Sequence, residues 1–358
     1  MKWRFLLAAL LPVSCAAPGN EPKARPLKDF RGIIHCHSLY SHDSKGTYEE
    51  ILAAAKAAKV DFICITDHPP KGDAGLSLRE GWKGLHDGVL FIQGHELAGA
   101  NLLALGIREP IPSGPPPDRI AAIHRQGGVA IVSHPEEVKD WEPYLTADGM
   151  EVYNVHAAWK KHQGDLGFMA KALTMLKQDP ERLFTLVQQL DPAVLAKWDE
   201  INKTRRFVGV AGNDAHQNVK IGTLQADPYE RAFRFVTTHV FAEDLTQEAI
   251  LHGVREGRCY VRFEIVGPGS PFRFELEKNS AGETVLDVYP APLSIHPTLY
   301  RDGDLVRLPQ QPIRPPGEGR PRYRAVEPGA YRVVKEVPGS PPRPWILSNH
   351  LRVPPGRP

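Results

Sequence analysis

The sequence predicts an α/β fold, a parallel strand–helix barrel or sheet, continued by a smaller all-β, sandwich-like domain. Three observations carry this. Short apolar, β-branched runs alternate with helical patterns from Phe30 to about residue 262. Four of those runs end in metal-ligand residues: His35-Cys36-His37, Thr66-Asp67-His68, Ser133-His134-Pro135 and Asn213-Asp214-Ala215-His216. In β/α barrels, active-site groups project from the C-terminal strand ends, so ligands distant in sequence can converge there. After about residue 268 the helical period stops and Pro and Gly become dense.

The elements follow in order. Residues 1–17 read as an export signal. Lys2 and Arg4 form a basic start, residues 5–13 are apolar but too short to span a bilayer, and Ser14, Cys15, Ala16 and Ala17 are small. Cleavage after Ala17 is expected, or else lipidation of Cys15 as in bacterial lipoproteins; either route leaves the protein outside the cytoplasm, periplasmic or lipid-anchored to a membrane. Residues 18–29 form a Pro-rich tether. The expected barrel occupies 30–265. Its strands are 32–36, 62–66, 90–92, 102–106, 129–133, 150–153, 207–212 and, last, 238–241. An Ala-rich amphipathic helix is expected over 48–58, with Glu49 and Glu50 in its first turn. A second, over 118–126, ends at Gly127-Gly128, and 164–203 is largely helical. Over 268–355 the short alternating runs 272–276, 285–288, 323–326 and 331–334 predict the β-sandwich, with a long loop at 309–322.

Composition narrows the function. The net charge is +2 and charges of both signs are interspersed, so no nucleic-acid partner is expected. With Cys15 removed by cleavage, Cys36, Cys64 and Cys259 make no disulfide framework, and Cys36 and Cys64 read as small buried hydrophobes.

The chemistry lies in the histidines and carboxylates. His35 and His37 are two apart on one strand, so their imidazoles face the same side. His68 and His134 stand at strand ends, Asp214 and His216 share another, and Glu96 is placed to bridge two cations. Taken singly, each is better explained as a hydrogen-bonded core histidine or a helix cap. Jointly they suit a site for Zn, Mn or Fe without a thiolate. Two cations about 3.5–4 Å apart activate a water and stabilise the leaving oxygen of a displacement.

The segments His35-Cys36-His37-Ser38, Ser41-His42-Asp43-Ser44, Ile65-Thr66-Asp67-His68, Gly94-His95-Glu96, Ser133-His134-Pro135, Glu151-Val152-Tyr153-Asn154 and Gly212-Asn213-Asp214-Ala215-His216 together resemble the polymerase and histidinol phosphatase (PHP) superfamily. They occur in that family's order over about residues 30–245. The β region, with Pro344-Trp345-Ile346-Leu347-Ser348-Asn349, resembles the carbaryl-hydrolase-like branch. The resemblance implies a distorted (β/α)7 barrel and two or three divalent metals. It makes His35, His37, His68, Glu96, His134, Asp214 and His216 ligands, with Asp43 preferred to His42 as a further one. It also implies a metal-dependent hydrolase, phosphate esters first and carbamate or carboxylic esters second, in which a metal-bound hydroxide attacks a small-molecule ester. His156, just after the Glu151 strand, is the candidate substrate or proton-transfer group. One position departs: Asn101 stands where many relatives place a histidine. That departure favours the alternative of a metal- or ligand-binding surface protein that has lost catalysis.

Overall fold

In the computed structural model the short apolar runs form strands that are buried on both faces, as a sheet covered by helices requires. The structure describes residues 26–68, 76, 78, 79, 81–97, 99–221, 223–267, 272–278, 284–289, 297–306, 322–324 and 327–354. The expected signal at 1–17, most of the tether and most of the 309–322 loop lie outside the described residues.

The order is β1 (Lys28–Cys36), α1 (Tyr48–Ala58), β2 (Phe62–Ile65), β3 (Gly84–His86), β4 (Val89–Leu97), β5 (Leu102–Leu105), α2 (Pro116–Arg125), β6 (Val129–Val132), β7 (Gly149–Asn154), α3 (Val155–Lys160), α4 (Leu166–Gln178), α5 (Pro192–Asn202), β8 (Val208–Gly212), β9 (Lys220–Ile221), β10 (Leu224–Gln225), α6 (Tyr229–Phe233), β11 (Val236–Ala242), α7 (Gln247–Arg255) and β12 (Cys259–Phe263). Then follow β13 (Arg273–Lys278), β14 (Thr284–Tyr289), β15 (Pro297–Arg301), β16 (Asp304–Leu305), β17 (Arg322–Arg324), β18 (Gly329–Val337), β19 (Arg343–Ser348) and β20 (Leu351–Val353). At the start of α1 the Thr47 side chain accepts from the Glu50 N–H, and Glu50 reaches back to the Thr47 N–H.

One sheet of 15 strands runs β16-β15-β18-β19-β12-β11-β1-β2-β4-β5-β6-β7-β8 along its main path. It departs from the expected parallel barrel in three ways. First, it is mixed. β1, β2 and β4 are parallel, as are β6, β7 and β8, but β5 lies antiparallel to both neighbours. Only residues 98–101 join β4 to β5, far fewer than the dozen or more that a parallel crossover needs.

Second, the sheet is not closed. Residues Lys28–Gly32 of β1 pair with Thr238–Ala242 of β11, so the β1 edge that would meet β8 is taken over most of its length. β1 and the chain after β8 meet only at their C-terminal ends. There Cys36 bridges Ala215, the His37 N–H donates to the Ala215 carbonyl at 3.0 Å, and the Asp214 N–H donates to the His35 carbonyl at 2.9 Å.

Third, the C-terminal strands do not make a free-standing sandwich. β19 pairs with β12, Val261 opposite Leu347, and so extends the large sheet. The small sheet β13-β14-β17 forms the other layer, across a core of Phe272, Leu286, Val288, Val333, Trp345 and Ile346. Two side chains fasten this region to the rest. Asn349 accepts from the Gly209 N–H at 2.7 Å and donates to the Gly209 and Cys259 carbonyls at 2.9 and 3.0 Å. Asp199 on α5 accepts from Arg332 Nε and Nη2 at 2.6 and 2.7 Å and from His350 at 2.8 Å.

Candidate metal centre

Where β1, β2, β4, β6 and β8 end, the predicted ligand residues come together. His35 and His37 sit on β1, fully buried, and Glu96 lies near the end of β4. His68, His134, Asp214 and His216 follow the ends of β2, β6 and β8. Three groups form, each with its ligand atoms within 4.8 Å of one another: His35, Glu96, His134 and Asp214; His37, His68 and Glu96; His37, Asp43 and His216. Glu96 belongs to two of them and so does His37. Asp43, not its competitor His42, is part of a group; the His42 ring is 5.1 Å from that of His68.

The backbone is bent to allow this. His134 and Asp214 hold φ of +47° and +51°, values uncommon for residues other than glycine and typical of sites where structure holds local strain. Each breaks its strand direction and turns a side chain inward.

The hydrogen bonds on the far sides of the rings set what faces the centre. His35 Nδ1 is 2.7 Å from Glu151 Oε1, His37 Nδ1 is 3.2 Å from Ser41 Oγ, and His216 Nδ1 is 2.8 Å from the Asp214 carbonyl. Glu151 and the carbonyl can only accept, so His35 and His216 carry their proton on Nδ1. Ser41 gives its own proton to Asp43 Oδ1 at 2.7 Å, which leaves its oxygen to accept from His37. All three Nε2 atoms are then lone-pair acceptors. His35 Nε2 lies 2.9 Å from His37 Nε2, 3.1 Å from Glu96 Oε2 and 3.3 Å from Asp214 Oδ1. Glu96 also approaches His68 and His134 at 3.3 and 3.2 Å, and Asp43 approaches His216 at 3.3 Å. In the neutral forms these three Nε2 atoms and the carboxylates face one another as acceptors, and the buried Asp214 Oδ1 has no hydrogen-bond partner among the described residues. Cations fit this set.

Electrostatics point the same way. Burial alone would raise the carboxyls of Glu96 and Asp214, but the imidazoles around them hold both well below the ordinary range. Burial would lower His37 and His134, yet the carboxylates outweigh it and push them up to about 9 and about 12. The centre demands positive charge, as protons or as metal.

His156 stands at the rim, its ring 5.4 Å from that of His216. Desolvation lowers its imidazole below the usual value, helped by the neighbouring histidines and opposed by Asp214. Asn101 takes a left-handed turn, φ +46°, which asparagine tolerates. Its carbonyl accepts from the Ser133 N–H at 2.9 Å, and its side chain hydrogen-bonds Glu137.

Two supporting residues were not singled out from sequence. Glu151 is fully buried on β7 and also accepts from the His134 N–H at 3.1 Å and from Asn154 Nδ2 at 2.9 Å. A carboxylate inside the otherwise apolar run 149–153 was the signal available. Asp67 accepts from the N–H and hydroxyl of Ser38 at 2.5 and 2.7 Å, and so holds the chain leaving β1 against the end of β2.

Residues 34–97 match the PHP domain family. Similar proteins include a probable phosphatase of Yersinia enterocolitica and others of Yersinia pestis and Yersinia pseudotuberculosis. Each is 31% identical over 134 residues, which takes in 30% of this chain and 54% of the relative. The chain therefore spans about half the length of these curated relatives. Among solved structures, a two-domain protein of Bacteroides vulgatus ATCC 8482, described as containing a predicted PHP-like metal-dependent phosphoesterase, is similar over 93% of this chain and 100% of its own, at 14% identity and a TM-score of 0.47. A likeness that distant carries no weight for fold or function. The matched segment holds His35, His37, Asp43, His68 and Glu96 in the order in which β1, β2 and β4 deliver them to the centre, and over these residues the chain is similar to the PHP domain.

Proposed function

We propose that the chain is a metal-dependent hydrolase of phosphate esters. One observation carries the reading: imidazoles and carboxylates from five strand ends converge in three groups, each with its ligand atoms within 4.8 Å, and the buried Asp214 Oδ1 among them has no hydrogen-bond partner among the described residues. The names of the Yersinia relatives support the choice of phosphate esters. His35, Glu96, His134 and Asp214 would hold one divalent cation, His37 and His68 with Glu96 a second, and Asp43 and His216 with His37 a third. Zn, Mn and Fe all suit imidazole and carboxylate. Bound there, such cations supply Lewis acidity toward a phosphoryl oxygen and lower the pKa of a coordinated water.

The chain's own groups do the rest. Glu96 spans two of the groups and keeps their spacing. Glu151, Ser41 and the Asp214 carbonyl hold three imidazoles in the tautomer that offers Nε2. His156, exposed at the rim, is the imidazole that meets the ester and exchanges a proton with it. The full chain reconstituted with Zn, Mn or Fe is expected to hold two or three metals and to turn over a phosphomonoester or phosphodiester, with His156→Ala slowing turnover. Turnover of carbamate or carboxylic esters alone would move the substrate class to that of the carbaryl-hydrolase-like branch. Bound metal without turnover of any ester would leave a metal-binding protein and defeat the hydrolase reading.

The basic start, short apolar stretch and small residues of 1–17 support a further proposal, export. Mass spectrometry of the mature protein is expected to find a chain beginning at Pro18 or at a lipidated Cys15; retention of Met1 and Lys2 contradicts it.

A further inference from the structure

Beside the centre lies a cavity of about 80 Å³ that shares Asp214 and His156 with it. Its walls are mainly apolar: Val155, Trp159, Leu183, Phe184, Ala226 and Ala232. Leu183, Phe184, Ala226 and Ala232 are buried, whereas Val219 stands at the edge with 37% of its surface exposed. We infer that this cavity receives the organic group of the ester, and that the group is a small apolar one, a single ring or a branched alkyl chain. The inference rests on the hydrolase reading above and deepens it.

Position, size and wall chemistry each argue for that occupant. Asp214 belongs to one of the metal groups and His156 lies at the rim, so an ester whose phosphoryl group meets the centre projects its substituent along this side. That volume is well above what a single water needs and suits a small group rather than a long chain. The polar lining groups are already engaged. Asp227 accepts from the Asn218 and Val219 N–H groups at 3.0 and 2.9 Å and from Gln225 Nε2 at 2.5 Å. Asn213 donates to the Ala232 and Val236 carbonyls at 2.8 and 3.0 Å, leaving its Oδ1 without a partner among the described residues. A sugar or glycerol group entering here would surrender the hydration of several hydroxyls and, beyond Asp214 and His156 at the centre itself, find only that one acceptor. A ring or branched chain gives up nothing polar and gains the Trp159 and Phe184 surfaces.

The test compares two phosphates of primary alcohols, benzyl phosphate and glycerol 1-phosphate, on the metal-loaded full chain, together with calorimetric titration by benzyl alcohol. Val219→Phe adds bulk from the partly exposed edge, where folding is least at risk, and Ala226→Leu adds it from the buried wall. The wild type is expected to favour benzyl phosphate in kcat/KM by about 10–100-fold, the range one apolar group in a fitted pocket provides. Both variants are expected to lower that ratio about tenfold and to weaken benzyl alcohol binding. Equal kcat/KM for the two phosphates, or benzyl alcohol binding that is absent or indifferent to both substitutions, overturns the inference. Benzyl alcohol binding that the variants abolish, with neither phosphate hydrolysed by the wild type, supports the cavity assignment and defeats the hydrolase reading instead.

Discussion

Glu151 owes its place to a glycine on the neighbouring strand. An added Cβ on Gly212 would lie 1.9 Å from Glu151 Oε1, so only glycine there leaves room for the carboxylate that orients His35. Glu151→Gln is therefore expected to weaken metal binding about 10–100-fold, as loss of a partner behind a ligand does; chelator competition measures it, and an unchanged affinity would detach Glu151 from the site. Glu96→Gln and Asp214→Asn remove charge that would face the cations directly. Each is expected to lower the metal content found by elemental analysis and nearly to abolish turnover while the circular dichroism spectrum is kept. Full activity without metal would contradict the mechanism. Asn101→His keeps a residue type that accepts a left-handed backbone and adds an imidazole at the position whose carbonyl bonds Ser133, the residue before His134. More metal per chain is expected; no change would mean that the side chain stays with Glu137. At this scale much of the centre was legible, because His-x-His, strand-end Asp-His and strand-end His are local patterns. Ser41 as the oxygen between His37 and Asp43 depends on how the loop after β1 turns, and the left-handed turns at His134 and Asp214 are single backbone conformations; none of these leaves a periodic trace.

Elements were legible where period and caps agree. The helix expected at 48–58 is α1, with its Thr47–Glu50 box, and the apolar runs before His35, His68, His134 and Asp214 are strands. What escaped was pairing. A hairpin between β4 and β5 and a parallel pair look alike in hydrophobicity, and β12 was missed although it pairs with β11, the strand before it, as well as with the distant β19. The Asp199–Arg332–His350 contact is equally invisible in sequence, yet it joins α5 to β18. Asp199→Ala would strand a buried guanidinium and is expected to cost about 3–5 kcal/mol in denaturant unfolding. Its pH dependence has a definite sign. Burial would raise the Asp199 carboxyl, but the bonds from Arg332 and His350 hold it below the ordinary value. Its contribution is then complete above about pH 4 and disappears as pH falls through the depressed pKa. The difference in stability between wild type and Asp199→Ala should shrink on the acid side and stay level toward neutrality; a gap that widens in acid would refute this.

For the whole molecule, continuity of the large sheet decides what can be separated. Removing residues 268–358 would expose the β12 edge now paired with β19 and the Gly209 and Cys259 backbone groups now held by Asn349. The truncated chain is expected to aggregate or to unfold at much lower denaturant, because a bare strand edge invites pairing with other chains. A soluble, two-state fragment would show that the strands up to β12 stand alone. Metal matters at this scale too. At 100 times its Kd, one cation bound only by the native state adds about 2.7 kcal/mol, so chelation should lower Tm and readdition restore it.

The meeting of β1 with the chain after β8 has a mechanical meaning. His35 and His37 stand on one flank of that seam, Asp214 and His216 on the other, and between them the backbone has a single bridge and two hydrogen bonds. A cation gripped from both flanks would work as a clasp on an unzipped edge. In hydrogen exchange, the His37 and Asp214 amides should open readily in the stripped protein and become slow when metal is restored. Amides within β6, laddered to β5 and β7, should not register the difference.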